Sequence, residues 1–499
     1  MRNHSLLEPC SVKNSSANLQ FFSFVGKTKI LHLTWIAFFI TFLVWFNHAP
    51  ILLAIQTTLG LSDDQIKTLL ILNVALTIPA RIVIGMLVDV LGPRKIYSLL
   101  LVITGLLCFF FSFATSFEAL ALARFLLGFA GAGFVIGIRM ISEWFPARQL
   151  GLAEGIYKGL GNIGSAAAAI SIPTLALVFG GDEGWRYATA LTGVIAILYA
   201  AVYFFSVTDT PAGSTYFKPN KSGGLPVTSK ADFIQYLLIN IPMYAALSLL
   251  TWKVTSLGLL SSEAMYIINA LLAGLFLYQC RKIYHVNADI FIKPVEKTHQ
   301  YKFKQVTILS LAYAVTFGSE LAVVSMLPMF FKSTFAIPVA LAGIFGACFA
   351  ATDILSCPSG GWISDKFGRK KSLIVLLLGA SVGFFVLSQI NADWPIALAV
   401  AAMMLSSFFL GSAGGCVFAV VPLIRRSLTG QIAGIVGAYG NVGAVILLTV
   451  FSFVSTPIFF ITISASIFVV AIAAFLLEEP KDKMFEVLPD GSVQMIDVH

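Results

Sequence analysis

The sequence predicts an all-α membrane protein that crosses the bilayer many times and consists of two related six-helix halves. Three observations support this prediction. Hydrophobic residues make up 58% of the 499 residues and charged residues only 11%, whereas soluble domains carry roughly 25% charged residues. Apolar segments long enough to cross a bilayer recur along the whole chain. Two short sequence patterns also occur twice, at nearly the same separation.

Fourteen apolar segments are predicted to span the membrane, since a spanning helix needs about 20 mostly apolar residues. They lie near residues 30–55, 67–91, 95–115, 118–143, 153–179, 186–207, 232–252, 255–280, 305–330, 336–364, 371–391, 395–424, 431–454 and 457–477. The seventh and eighth either span as two extra central helices, which we favour, or lie at the interface as a hairpin. The first is too long for a signal-peptide core, so it is read as a span.

Basic residues in the loops predict the orientation. They cluster before span one and after spans two, four, ten and twelve, as Lys27, Lys29, Arg94, Lys95, Arg148, Lys366, Arg369, Lys370, Lys371, Arg425 and Arg426. We expect the protein to lie in the plasma (inner) membrane. The positive-inside rule then places both termini in the cytoplasm. The predicted division is a cytoplasmic N-terminal segment (1–29), an N-terminal half (30–207), a central region (208–304), a C-terminal half (305–477) and a cytoplasmic tail (478–499).

Several function classes lack support in the sequence. The net charge of +8 is spread over short loops rather than gathered in one patch, so nucleic-acid binding is not expected. The six cysteines have no metal-ligand spacing, and no enzyme motif is present. Gly26-Lys27-Thr28 is similar to the end of a P-loop, but Phe21 stands where that motif needs glycine. We therefore expect no catalytic activity, cofactor, metal or ATP use; ion gradients would drive any transport.

The internal repeat is defined by two patterns. GMLVDVLGPRK at residues 85–95 resembles GWISDKFGRKK at 361–371, an offset of 276. GIYKGLGNIG at 155–164 resembles GIVGAYGNVG at 434–443, an offset of 279. Two unrelated patterns at almost one offset indicate a duplicated unit. Parallel six-helix repeats are a known transporter architecture, with the substrate site between the halves near the midplane.

The first pattern resembles the signature loop of the major facilitator superfamily. Asp89 and Asp365 lie near the predicted cytoplasmic ends of two spans, followed by a glycine turn and by Arg94 and Arg369. We expect each acid to bond to a neighbouring helix in one conformation and to release it in another, which makes the four residues a conformational latch. The alternative is a basic loop that only sets topology.

The second pattern, together with residues 73–81, 137–146 and 313–319, resembles the nitrate/nitrite porter family of that superfamily, and the segments around 232–280 resemble its longer-chain subgroup. The resemblance implies a secondary active transporter of nitrate, nitrite or both, working by alternating access as an antiporter or a proton symporter. We expect the protein to be a monomer. Gly161, Gly164, Gly440 and Gly443 would let helices pack closely. Asn162 and Asn441 either donate to the anion or bond neighbouring helices.

Arg81 is the strongest candidate for binding the substrate. An arginine inside a span costs about 2.5–3.5 kcal/mol to insert, so it needs a reason. Its planar fork of donors suits a planar oxyanion, and the resemblance implies a substrate-binding arginine at this position. The alternative is a structural ion pair. Tyr313 and Phe317, four residues apart, are implied to wall the site and to stack on a flat anion; ordinary aromatic packing is the alternative.

One half departs from the family pattern. The family has a second arginine just before a Pro-x-Gly-Gly turn, where this chain has Cys357, and Asp353 replaces an expected neutral amide one turn earlier. Lys158, four residues before Asn162, either replaces the lost charge, pairs with Asp353 or extends to the membrane interface. These departures leave an alternative substrate open: an organic anion, a zwitterion or a neutral solute.

Two further charged sites lie at membrane depth. Glu320 either carries a proton or forms a structural pair, and Asp353 is a candidate for the same roles. Arg139 and Glu143 are four residues apart, which favours a local pair. A membrane sensor that binds the ligand without cycling is a third hypothesis, and the presence of the latch pattern in both halves argues against it.

Overall fold

The computed structural model describes residues 21–216, 218–219, 224–256, 258, 260–292, 300–479, 483–487 and 493–497. The first half folds into nine α-helices between residues 21 and 216: α1 (Gly26–Phe46), α2 (Leu52–Leu59), α3 (Asp63–Ala75), α4 (Thr77–Leu91), α5 (Pro93–Ser112), α6 (Phe117–Leu127), α7 (Gly133–Trp144), α8 (Ala147–Phe179) and α9 (Gly184–Ser206). Short 3₁₀ turns at Ala49–Ile51 and Gly128–Ala132 join α1 to α2 and α6 to α7.

The second half repeats this plan with fewer interruptions. Its helices are α12 (Phe303–Phe335), α13 (Val339–Ala351), α14 (Asp353–Phe367), α15 (Arg369–Leu387), α16 (Ile396–Val420), α17 (Thr429–Phe451) and α18 (Thr456–Ala474). Two 3₁₀ turns, Val421–Leu423 and Arg426–Leu428, connect α16 to α17.

Between the halves lie α10 (Lys230–Ser256) and α11 (Ser262–Asn287), followed by a 3₁₀ turn at Ala288–Phe291. After α18, the tail forms an antiparallel hairpin of β1 (Lys483–Val487) and β2 (Val493–Asp497), the only strands in the described residues. The sequence analysis did not anticipate this hairpin, although the intervening sequence contains Asp490-Gly491, a pair that favours hairpin turns.

Fourteen helical segments in the described residues are long and apolar enough to cross a membrane, which confirms the predicted number and the all-α class of the membrane region. Helices suit a bilayer because each satisfies its own backbone hydrogen bonds. The predicted seventh and eighth spans correspond to Lys230–Ser256 and Ser262–Phe291. That these two cross the bilayer remains a prediction.

Two spans are interrupted at equivalent positions of the two halves. The break between α3 and α4 falls at Leu76, and the break between α13 and α14 falls at Thr352. The two breaks are 276 residues apart, the same offset as the first repeat. The duplicated sequence therefore repeats an irregularity of the backbone as well as a loop.

The central helices attach to the second half. The Tyr439 hydroxyl on α17 donates to the Ile239 carbonyl on α10 (2.7 Å), and the Tyr236 ring packs 5.0 Å from Phe303 at the start of α12. Polar side chains also join α10 to α11, with the Tyr244 hydroxyl donating to the Gln279 amide oxygen (2.6 Å). Such bonds hold two apolar helices together where packing alone gives little specificity.

The repeated glycines lie where helices come closest. On α8, a Cβ added at Gly161 would lie 1.8 Å from the Phe38 ring of α1, and one at Gly164 would lie 2.2 Å from a backbone oxygen of α1. On α17, Gly440 faces the Tyr313 and Phe317 rings of α12, and Gly443 lies against the Ala314 carbonyl. Only glycine permits these approaches, as the sequence analysis expects for helix packing.

We expect Gly164→Ala to lower the melting temperature of the purified protein in detergent, because its new Cβ would lie 2.2 Å from the Phe39 carbonyl oxygen. Overpacking of this kind costs about 1–3 kcal/mol. Gly274→Ala on α11 is the matched control, because its Cβ would meet nothing within 4 Å and alanine favours a helix. Thermal unfolding measures both, and an unchanged melting temperature for Gly164→Ala would contradict the close packing of α8 on α1.

Candidate substrate site between the two halves

The two halves meet where α4 crosses α17 and where α8 crosses α14. At the first crossing, a Cβ added at Gly85 would lie 2.3 Å from the Gly430 carbonyl oxygen. At the second, a Cβ added at Gly361 would lie 1.9 Å from the Gly151 carbonyl oxygen. Gly361 corresponds to Gly85 at the offset of 276, and Gly430 corresponds to Gly151 at the offset of 279. The duplicated sequence therefore forms two equivalent contacts between the halves.

Each latch aspartate joins one half to the other at the ends predicted to be cytoplasmic. The Asp89 carboxylate accepts hydrogen bonds from the backbone N–H groups of Gly430 (2.9 Å) and Gln431 (2.8 Å), in the first turn of α17. A carboxylate at a helix N-terminus is stabilised by the unsatisfied N–H groups and the helix dipole.

The second latch repeats the first. The Asp365 carboxylate accepts from the backbone N–H groups of Gly151 (3.2 Å) and Leu152 (2.9 Å), near the start of α8. Both latches are engaged at once, so the halves are closed against each other on this side of the molecule.

The latch cations differ between the halves. Arg369 pairs with Asp365 at 2.9 Å and also donates to the Ala147 carbonyl of the other half (2.9 Å). Arg94, the other cation of the predicted latch, has different partners. Gly92 (φ 90°) turns the chain so that Arg94 lies beside the end of α9, where its side chain donates to the Phe204 carbonyl (2.7 Å).

Arg139 is the cation that lies beside Asp89. Its guanidinium lies 3.1 Å from Asp89 and 2.8 Å from Glu143, so the predicted local pair is present and part of the latch. Its Nε also donates to the Tyr216 hydroxyl (3.1 Å), and that hydroxyl donates to the Val88 carbonyl (2.6 Å). Burial raises the pKa of Tyr216, which keeps this phenol protonated as a donor. No sequence signal pointed to Tyr216.

Arg81 lies between the halves and is fully buried. Its Nε donates to the Gly131 carbonyl of the first half (3.0 Å), and its Nη1 donates to the Gly437 carbonyl of the second (2.5 Å). In the described part of the chain no carboxylate lies within ion-pair distance of Arg81, so the ion-pair alternative is wrong there. A buried cation without a counter-ion is costly, and the site therefore favours an anion.

Aromatic faces surround this guanidinium. Its carbon lies 5.2 Å from the centre of the Phe317 ring and 5.7 Å from that of Phe134. Tyr313 and Phe317 are parallel, with ring centres 5.1 Å apart, and Tyr313 also lies parallel to Phe134 at 6.1 Å. The two predicted aromatic residues thus form one wall with Phe134, which the sequence analysis missed. Ring faces attract the guanidinium, and such a wall suits a flat anion.

Asn441 lies one helical turn beyond Gly437 on α17, on the same face. It is fully buried, yet neither its amide nitrogen nor its amide oxygen has a hydrogen-bond partner in the described structure. An unsatisfied buried amide is costly. The arrangement leaves its donors available to a ligand held by Arg81.

Position 357 on α14 is the structural counterpart of position 81 on α4. A Cβ added at Gly434 would lie 2.6 Å from the Arg81 carbonyl oxygen, and one at Gly155 would lie 2.4 Å from the Cys357 carbonyl oxygen. The second half therefore presents a thiol where the first presents a guanidinium.

Lys158 fills the space beside Cys357 from the opposite half. Its side chain is 2% exposed, which excludes the interpretation that it extends to the membrane interface. Its ammonium lies 3.7 Å from Glu320 and 5.8 Å from the centre of the Tyr313 ring, and it makes no hydrogen bond in the described structure. Its closest carboxylate is Glu320, rather than Asp353 as one of the predictions had it.

Asn162 does not mirror Asn441. Its amide nitrogen donates to Asp353 (2.8 Å) and to Glu320 (3.5 Å), and only its oxygen is unpartnered in the described residues. Its donors are thus taken by carboxylates rather than offered to an anion, because Asp353 and Glu320 both face it. Ser356 adds a weaker bond to Asp353 (3.3 Å).

Two further buried charges were missed by the sequence analysis. Arg124 on α6 is fully buried and donates to the Trp45 carbonyl and to the Asn73 and Asn47 amide oxygens, so neutral acceptors hold it. Glu154 on α8 is 1% exposed, and neither of its carboxyl oxygens has a partner in the described structure. Both lie inside predicted membrane spans. A charged residue in such a segment is itself a sequence signal for a functional or structural role, and it could have identified them.

Comparison with known families identifies the architecture. A model of the Major Facilitator Superfamily matches residues 34–294 and 309–493, most of the chain. The chain belongs to the Major Facilitator Superfamily. Its members are transporters rather than enzymes. The fold agrees: this superfamily member superimposes on the FucP transporter in its outward conformation with a TM-score of 0.62 (11% identity; 90% of this chain, 98% of that one).

Sequence relatives are closer. The chain is 43% identical to the nitrate/nitrite transporter NrtP of Picosynechococcus sp., over 95% of this chain and 97% of that protein. It is also 43% identical to NrtP of Nostoc punctiforme (92% and 94% covered). Identity to high-affinity nitrate transporter 2.3 of Oryza sativa subsp. japonica is 27% (84% and 71% covered).

We expect Asp89→Asn to speed hydrogen exchange at the amides of Gly430 and Gln431, because a neutral amide has one acceptor oxygen for two donors and no charge. Loss of a charged hydrogen bond of about 1.5–3 kcal/mol corresponds to at least about tenfold faster exchange. Exchange mass spectrometry of the purified protein gives the rates, with Gly151 and Leu152, held by Asp365, as the internal reference. Unaltered exchange at residues 430 and 431 would show that Asp89 does not hold α17.

Proposed function

We propose that this transporter carries nitrate and nitrite across the membrane as a secondary active carrier working by alternating access. The observation that carries the proposal is the buried guanidinium of Arg81, which touches both halves and has no carboxylate partner in the described residues. The names of the relatives that match almost the whole chain support the same substrates.

Recognition of nitrate would use shape as well as charge. Nitrate is flat and carries its negative charge on three oxygens, which suits the planar fork of Arg81. The amide of Asn441 would donate a second bond from the same face of α17, and Phe317 and Tyr313 would offer flat surfaces above it. Glycine at position 440 leaves room for those rings, since a Cβ there would lie 2.7 Å from each.

Lys158 would supply a second positive charge. Its ammonium lies on the Tyr313 ring and beside Cys357, the counterpart position of Arg81. The charge missing from α14 would thus be provided by α8 of the other half. Glu320 and Asp353 oppose it, so the second half of the site holds both signs of charge.

Alternating access would require both latches to release. In the described conformation Asp89 and Asp365 hold the predicted cytoplasmic ends together. Opening on that side would break four hydrogen bonds to backbone N–H groups. An anion bound to Arg81 of the first half would lose its contacts with α17 of the second half when the halves separate, and would regain them when the halves close.

We propose, from the basic loops, that both termini lie in the cytoplasm and that the protein lies in the inner membrane. We also propose that it is a monomer. Its two halves would be residues 30–207 and 305–477, with a separate central region at 208–304. ATP would play no part. A different solute and a non-transporting sensor are not favoured, because relatives that match the chain along most of its length are nitrate/nitrite transporters.

Uptake of labelled nitrate and nitrite into proteoliposomes tests the proposal. We expect Arg81→Lys to weaken the apparent affinity for both anions by about tenfold or more, because a single ammonium cannot replace a bidentate guanidinium worth about 1.5–3 kcal/mol. Arg281→Lys, at an exposed position on α11, is the matched control and should behave as wild type. The proposal fails if the wild-type protein neither transports nor binds nitrate or nitrite. It also fails if Arg81→Lys leaves the apparent affinities for both anions unchanged.

A further inference from the structure

The chain that follows α9, residues 208–216, lies along the predicted cytoplasmic end of the first half and is here called the linker strap. Near its start, the Asp209 carboxylate accepts from the backbone N–H of Arg94, at the beginning of α5 (2.8 Å). At its end, the Tyr216 hydroxyl donates to the Val88 carbonyl on α4 (2.6 Å). The strap is therefore fixed to the first half at both of its ends.

Tyr216 covers the cation of the first latch. The guanidinium carbon of Arg139 lies 4.7 Å from the centre of the Tyr216 ring, and its Nε lies 3.1 Å from both the Asp89 carboxylate and the Tyr216 hydroxyl. Its Nη1 donates across the interface to the Arg426 carbonyl of the second half. The side chains of Asp89 and Arg139 are fully buried, whereas Tyr216 is partly exposed. The tyrosine thus forms the outer layer of the latch.

This cover stabilises the closed latch more than an open one. Arg139 reaches the second half only while the halves touch, and there its guanidinium is shielded from water. Removing an acceptor from a buried donor is costly, whereas water replaces the acceptor once the halves separate. The attraction between Asp89 and Arg139 is also stronger where water is excluded. Because an interaction shifts an equilibrium only by its difference between two states, Tyr216 favours closure.

The second latch repeats the cap but has another partner in place of the tyrosine. Glu479 accepts from the backbone N–H groups of Arg369 (2.5 Å) and Lys370 (3.0 Å), as Asp209 does at the start of α5. The Arg369 side chain donates to the Ala419 carbonyl of its own half (2.7 Å), and in the described residues no tyrosine hydroxyl bonds to it. Contact with the strap therefore distinguishes the first latch from the second.

The same linker also reaches the second half. The Tyr301 hydroxyl, two residues before α12, donates to the Pro226 carbonyl (2.7 Å), and the Thr228 hydroxyl donates to the Tyr301 carbonyl (2.6 Å). Only ten residues separate Tyr216 from Pro226. The chain between the halves thus connects the first latch to the base of α12.

We infer that Tyr216 is a positioning residue for alternating access. Through its ring and its hydroxyl, the linker strap keeps Arg139 oriented toward the second half, and this contact sets how often the predicted cytoplasmic side opens. The inference rests on the alternating access of the proposed function, but it does not depend on which solute is carried.

Labelling of Cys357 measures the opening. This thiol is fully buried, so a methanethiosulfonate that carries a sulfonate, and cannot cross the membrane, reaches it only when one side opens. Membrane vesicles of the two orientations present each side separately, without nitrate, and peptide mass spectrometry quantifies the label. We expect Tyr216→Phe to speed labelling from the predicted cytoplasmic side by about three- to tenfold, as the loss of one hydrogen bond predicts. Tyr216→Ala, which also removes the ring, should speed it further.

Two controls separate positioning from a general loosening of the fold. Tyr266→Phe, at an exposed position on α11, should label as wild type from both sides. Labelling from the outer side should not rise in either Tyr216 variant, because a shift toward the inward-open state depletes the outward-open one.

Faster labelling from both sides would indicate a loosened protein and would overturn the inference, as would wild-type rates from the cytoplasmic side in the Tyr216 variants. Tyr216→Phe keeps the ring, so it decides the matter if Tyr216→Ala does not fold. Unchanged labelling together with normal nitrate uptake would overturn this inference alone. A wild-type protein that neither transports nor binds nitrate or nitrite would overturn the proposed function, while faster one-sided labelling of Tyr216→Phe would still support the role of the strap.

Discussion

The guanidinium of Arg81 is the interaction on which the rest of the site depends. It is a fully buried positive charge that carbonyl groups of both halves hold in place and aromatic rings enclose. None of these partners neutralises it. The unpaired charge, the unpartnered amide of Asn441 nearby and the parallel rings are therefore parts of one arrangement, which in our proposal an external anion would complete.

The duplication explains both the regularity and the exception. Equivalent glycines cross at Gly85–Gly430 and Gly361–Gly151, and equivalent aspartates latch the same ends. The exception is Cys357 of the second half, which stands where the first half has the Arg81 guanidinium. Glu320 and Asp353 of the second half lie near it, together with Lys158 of the first half. The two parts of the site therefore differ in charge. Around Arg81 there is one positive charge without a carboxylate partner in the described residues, whereas around Cys357 there are two carboxylates and one ammonium.

Features that depend on local sequence could be predicted, and features that depend on distant contacts could not. The spans follow from apolar length, and the Asp365–Arg369 and Arg139–Glu143 pairs follow from helical spacing of four residues. The cation that pairs with Asp89 is Arg139, 50 residues away on another helix, whereas the adjacent Arg94 donates to Phe204. Nothing periodic links Lys158 to Glu320, or Tyr216 to Val88; those pairs exist only once the halves and the loop after α9 have packed.

The most direct test of the unpaired charge at Arg81 is a cryo-electron-microscopy structure of the purified transporter with nitrate. We expect density for a small planar anion within hydrogen-bond distance of the Arg81 guanidinium and the Asn441 amide, lying against the Phe317 ring. A structure in which Arg81 pairs with a carboxylate of the protein, or in which nitrate binds away from it, would contradict the arrangement.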